Sequence, residues 1–120
     1  MGLTDAFFGD DEFRVELDCQ QRLIRIVGEL DCATTPVFDN ASAKLYSTGP
    51  GLVWLDFEKV TFCGAAGLGS VVRIHNRQRA AGERLSLTDI PPFVERVFRA
   101  GGLESLLLLS GSKARRIAVS

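Results

Sequence analysis

The chain has 120 residues, 46% of them hydrophobic and 24% charged, with a formal net charge of -1. That length suits one compact domain with a buried core and is short for two, and the near-neutral charge speaks against direct nucleic-acid binding or an anionic membrane surface as a general partner. No apolar run approaches the roughly 20 residues of a membrane span, and the first residues lack the basic start and apolar centre of a signal peptide, so a cytoplasmic protein is expected.

In chain order, Met1 to Asp11 carries no hydrophobic period and is expected to be a loosely held end. Phe13, Val15 and Leu17 alternate with Arg14, Glu16 and Asp18, the period of a half-buried strand. Cys19 to Arg22 is a plausible hairpin connection to a second strand, Leu23 to Val27, so the two should be antiparallel neighbours. Thr34-Thr35-Pro36 offers a hydroxyl cap and a proline for the first turn of a helix over about Pro36 to Ser47, with Phe38, Ala41 and Leu45 on its apolar stripe. Thr48-Gly49-Pro50-Gly51 stops it. A short apolar strand, Leu52 to Asp56, leads through a small-residue turn into a second helix ending near Ala81-Gly82, whose stripe reads Leu68, Val71, Val72 and His75. Leu85 to Thr88 is a short strand, and Asp89 can cap a helix over Pro91 to Ala100 with Val94, Val97 and Phe98 inward. Leu106 to Leu109 reads as an edge strand or core closure, and Ser110 to Ser120 as a basic tail. Helices that alternate with strands after an opening hairpin predict an α/β fold: a mixed sheet of four to five strands with helices mainly on one face.

The junction Gly64-Ala65-Ala66-Gly67-Leu68-Gly69 has the most chemistry to explain, because a helix starting there aims its free N–H groups out of a turn with almost no side-chain bulk. A dinucleotide cradle is one reading, with Asp89 near the distance of a ribose-binding acid, but the glycines run G-x-x-G-x-G, the reverse of the usual order. Too few residues follow for the remaining sheet. Cys63 has no evident base, and the one histidine, His75, reads as a packing residue rather than a catalyst. Asp56 and Glu58 read as anchors of a loop, and no metal-ligating set is expected. Cys19, Cys32 and Cys63 lack C-x-x-C spacing, which indicates reduced thiols. Cys32 and Cys63 follow strands that should be parallel, so a thiol switch between them stands beside the plainer reading of isolated thiols.

Three segments together resemble the STAS family, the small domains of sulfate transporters and anti-sigma-factor antagonists, over roughly residues 13 to 109. G-E-L-D-C-A-T-T-P at Gly28 to Pro36 is similar to the family's loop into its first helix. L-D-F-E-K-V-T-F-C-G-A-A-G-L-G at Leu55 to Gly69 resembles its central strand and D-S-[ST]-G-L-G turn, and P-P-F-V-E-R-V-F-R-A-G-G-L at Pro91 to Leu103 its closing helix. The resemblance implies a single non-enzymatic STAS domain over residues 1–120 that needs no cofactor, a monomer or weak dimer. It implies an antagonist binding an anti-sigma factor of the serine-kinase type by partner switching. The implied contact surface is Gly64, Ala65, Ala66, Gly67, Leu68 and Gly69, with Glu29 and Asp31 from the neighbouring loop. Phosphorylation of the family's serine ends that binding; here Gly64-Ala65-Ala66 stands on D-S-[ST], Ala65 is the equivalent of the phosphosite, and neither hydroxyl remains. Ser70 and Thr61 are the nearest substitutes. The alternative function is a scaffold or accessory module docking on a transporter ATPase or a sensory assembly.

Overall fold

A computed structural model describes residues 6–105; the two stretches expected at 106–109 and 110–120 lie outside them. Five strands, β1 (Ala6–Gly9), β2 (Arg14–Asp18), β3 (Leu23–Leu30), β4 (Val53–Cys63) and β5 (Leu85–Thr88), form one sheet in the order β1-β2-β3-β4-β5. β2 runs antiparallel to both β1 and β3, and β3, β4 and β5 run parallel. The parallel pairs need crossovers, supplied by α1 (Thr35–Tyr46) between β3 and β4 and α2 (Ala65–Ala80) between β4 and β5. α3 (Pro92–Ala100) follows β5.

Period-two alternation divides the sheet into two chemically different faces. Leu17, Ile24, Leu55 and Leu87 align in register across β2 to β5, and none is more than 1% exposed. Phe38, Ala41 and Leu45 of α1, Val71 and Ile74 of α2, and Val94 and Phe98 of α3 join the same hydrophobic cluster. The rings of Phe57 and Phe98 meet edge to face, 5.9 Å between centroids. All three helices therefore cover this face. On the other, Glu16, Arg25, Asp56 and Thr88 align. Arg25 Nε lies 3.0 Å from Asp56 Oδ2 and its Nη1 3.5 Å from Glu16 Oε1. Desolvation acts to lower the Arg25 pKa, but the two carboxylates outweigh it and raise it.

Four local features depart from the pattern reading. Ala6–Gly9, within the end expected to be loose, is an edge strand on β2; Asp10 shapes its turn, its Oδ1 accepting the Glu12 and Phe13 N–H groups at 2.9 and 3.0 Å. These backbone bonds hold the Asp10 carboxyl below its ordinary value. β4 continues past Asp56 to Cys63, through register shifts on β3 that break the alternation. Thr34 sits at the N-cap of α1 without a side-chain cap bond, Pro36 falling one position inside the start, and Asp89 does not cap α3, whose N-cap is Pro91. The buried face of α2 is Gly67, Ser70, Val71, Ile74 and Gln78, while Leu68, Val72 and His75 are half-buried flanks. Small residues at 67 and 70 let the helix come close to the sheet, which turns the larger apolar side chains to the boundary.

α2 and α3 end alike. Gly82 and Gly102 adopt φ of 74 and 78, and the next N–H reaches back to the Gln78 and Phe98 carbonyls at 2.8 and 2.9 Å. This is the Schellman arrangement, for which glycine is favoured.

Candidate functional site

β3 and β4 reach the same end of the sheet, where Leu30 is in register with Cys63 and Glu29 with Phe62. The Gly64 N–H donates to the Leu30 carbonyl at 3.1 Å, fixing the turn against β3. α2 starts at the next residue, with Gly64 as its N-cap, no side-chain cap bond and no acid in its first turn. Its first N–H donors thus face outward without a side-chain acceptor on this helix.

Gly67 has a structural reason. A Cβ there would lie 2.9 Å from both Cγ and the carbonyl oxygen of Leu30 and 3.0 Å from Cys63 Sγ, closer than real Cβ atoms come. Of the residues expected at a contact surface, Glu29 and Ala65 are exposed, and Asp31, Gly64, Ala66, Leu68 and Gly69 are half-buried. Gly67 is the correction: it is buried against Leu30 and Cys63, and it supports the surface from beneath.

The Glu29–Asp31 loop is held by its own polar groups. Asp31 Oδ1 accepts the N–H groups of Ala33 and Thr34 at 2.9 and 3.1 Å. The Thr34 hydroxyl donates to the Glu29 carbonyl at 2.7 Å and accepts the Asp31 N–H at 2.9 Å. This use of the hydroxyl explains why it caps no helix N–H. Asp31 is thus an organiser of the loop, whereas Glu29 presents its carboxylate outward. The far side of the junction is flanked by α3, where a Cβ on Gly101 would be 3.0 Å from Leu68 Cδ1.

Phe62 also belongs to this surface, although the sequence pattern does not mark it. It is 48% exposed, and its ring edge lies 3.2 Å from the point a Gly64 Cβ would occupy. The local pattern carried no signal for it: Val60 and Cys63 are buried with Thr61 and Phe62 exposed between them, so period-two alternation fails there.

Ser70 is fully buried and accepts a hydrogen bond from Arg73 Nη2 at 2.7 Å, whereas Thr61 is exposed. Cys63 is 2% exposed and burial pushes its thiol up to about 11, whereas Cys32 is exposed; the three cysteines are not joined in disulfides. A thiol that stays protonated at neutral pH is a slow nucleophile. Asp56 Oδ1 accepts the Glu58 N–H at 2.9 Å, but both residues lie inside β4 and do not anchor a loop at a strand end as expected. Folding also brings Asp89 to them, so carboxylate oxygens of Asp56, Glu58 and Asp89 lie within 4.8 Å of one another, a grouping the pattern reading did not foresee. Arg25 already neutralises Asp56 there. Away from the junction, a groove of about 520 Å³ between α1 and α2 is lined by Asp39, Arg73, Tyr46 and Arg77, the last stacked 3.9 Å over the tyrosine ring. Among the described residues no helix is long and apolar enough to cross a membrane.

A parallel β-α-β core behind an antiparallel hairpin, with a small-residue helix start open beside an acidic loop, defines the class as a STAS domain. Residues 13–110 match the family model described as Mlab, STAS domain, and the chain belongs to that family. Among solved structures, it is similar to the anti-sigma factor antagonist SpoIIAA in its unphosphorylated form. Identity is 26%, the TM-score 0.64, and the match covers 78% of this chain and 84% of that one. A search of curated proteins found no match. Family and structural likeness together support the antagonist branch, as the three sequence segments implied.

Proposed function

We propose that this protein is an anti-sigma-factor antagonist, a single cytoplasmic domain that acts by binding rather than catalysis and needs no cofactor. Its partner is an anti-sigma factor of the serine-kinase type, and its capture of that partner frees the sigma factor. The contact surface is the start of α2, with Ala65 at its centre, flanked by Glu29 and the loop that Asp31 holds.

One observation carries the reading: the residue at the phosphosite-equivalent position, Ala65, is exposed at the first position of α2, on a chain similar to an anti-sigma factor antagonist. A phosphate there would add a charge of about -1.5 to -2 in the middle of the interface. Alanine has no hydroxyl to accept it, and Ser70 is buried and bonded to Arg73. Release by phosphorylation at that position is therefore lost and the complex is held on.

Titration of the purified chain against purified anti-sigma serine kinases tests the reading, and saturable binding is expected for the cognate one. Failure to bind any of them, together with saturable binding to a transporter ATPase subunit, would replace the antagonist by an accessory module.

A further inference from the structure

Among the described residues two large hydrophobic side chains are exposed, Phe7 at 64% and Phe62 at 48%. Single exposed apolar residues are ordinary on protein surfaces, so exposure alone assigns no role. Phe7 lies on the edge strand β1, opposite Glu16. Phe62 is the penultimate residue of β4, two positions before the cap of α2.

Three observations set Phe62 apart. Its ring is seated: Cε2 and Cζ lie 3.2 and 3.5 Å from the place of a Gly64 Cβ, so the missing side chain at residue 64 is what lets the ring rest on the turn. A seated aromatic ring has little freedom left to lose on docking, which is one reason rigid aromatics dominate binding energy. Its neighbours along the chain to α2 are small, since Gly64, Ala65 and Ala66 rise no higher than a methyl group. Beside it in register stands Glu29, exposed and with no ion-pair partner among the described residues. An apolar prong next to a free carboxylate calls for a partner surface of complementary shape and charge.

We propose that Phe62 is the anchor of this face, entering an apolar socket on the anti-sigma factor with a cationic side chain of the partner placed against Glu29. The assignment rests on the antagonist reading and deepens it, naming the side chain that carries the affinity and the chemistry of the surface that receives it. Gly64 then has a second role besides ending β4: a side chain there forces the ring off its seat by a few tenths of an ångström.

The test is calorimetric titration of the cognate anti-sigma serine kinase with the wild-type chain and with Phe62→Ala, Phe62→Leu, Glu29→Gln and Phe7→Ala, each first checked by thermal melting. Phe62→Ala should weaken binding about tenfold or more, as truncation of a central aromatic anchor does. Phe62→Leu keeps the apolar bulk, guards against a folding defect in the alanine variant, and should fall between it and wild type. Glu29→Gln should cost a few-fold at low salt, with the difference closing as ionic strength rises. Phe7→Ala should bind as wild type does. If both Phe62 variants bind within about twofold of wild type, where an anchor requires roughly tenfold, the anchor is refuted and the antagonist reading stands. A wild-type chain that binds no anti-sigma kinase refutes both.

Discussion

Gly67 and Gly69 stand two residues apart in α2, and the same substitution at each should move stability in opposite directions. A methyl group on Gly67 would press on the Leu30 carbonyl and Cγ at 2.9 Å and on Cys63 Sγ at 3.0 Å. The carbonyl belongs to the strand backbone that also accepts the Gly64 N–H, so it cannot swing away without loosening the turn. Overpacking of this kind costs about 1–3 kcal/mol. Against it stands up to about 1 kcal/mol gained by replacing a helical glycine with alanine. The net for Gly67→Ala is a loss of up to about 2 kcal/mol, or up to roughly 16 °C in Tm at about 4–8 °C per kcal/mol. On Gly69 the nearest neighbour of the new methyl group would be Arg73 Nη1 at 3.7 Å, an ordinary contact with a flexible tip. Gly69→Ala should therefore gain about 0.5–1 kcal/mol. Urea denaturation of both variants measures the difference. A Gly67→Ala protein as stable as Gly69→Ala would refute the close approach of α2 to β3.

Four further substitutions probe other parts of the account. Arg25→Ala leaves the Asp56 carboxylate, 1% exposed, without its guanidinium, and should cost about 2–3 kcal/mol by urea melting after allowing for the partial exposure of Arg25. Arg73→Ala breaks an ion pair exposed on both sides, worth under about 0.5 kcal/mol, and also removes the hydrogen bond to the buried Ser70 hydroxyl, so it should cost about 1–2 kcal/mol in total. Ala65→Glu places a charge at the start of α2, where it should leave the Tm unchanged or raise stability by about 0.3–1 kcal/mol while weakening kinase binding about tenfold. Cys63 gives a pH signature: such a thiol ordinarily titrates near 9.0, and in the fold near about 11. The fold favours its protonated form, so stability is full below pH 9 and falls as pH rises from 9 through about 11, where the unfolded chain holds fewer protons. Cys63→Ala should flatten that decline in melts across pH 8–11, and a thiol reagent at pH 7 should label exposed Cys32 well before Cys63.

Wherever one residue type repeated at a fixed period against a continuous core, the sequence was enough. Val15, Leu17, Ile24 and Ile26 announced the β2–β3 hairpin, and Phe38, Ala41 and Leu45 the inner face of α1, because each pattern has a single way to bury itself. β1 carried no such pattern; its order comes from pairing with β2 and from the Asp10 turn, which are tertiary facts. The far half of β4 was hidden because register shifts against β3 interrupt the alternation. The inner face of α2 was displaced because pattern reading seeks large apolar side chains, while this helix buries a glycine and a serine to come close. The place of the candidate site was proposed from its small residues, but its relief was not legible in them. Nothing local to residue 62 says that Cys63 takes the core-facing position and leaves the phenylalanine outside, or that Asp89, just past the end of β5, approaches Asp56 and Glu58.

The most direct test of a permanently engaged antagonist is to follow its complex with the cognate anti-sigma serine kinase by size-exclusion chromatography before and after adding Mg-ATP, with mass spectrometry of the recovered chain. A complex that persists, with the chain's mass unchanged, is the predicted result. Dissociation on ATP addition, with one phosphate gained at Thr61 or Ser70, would contradict it.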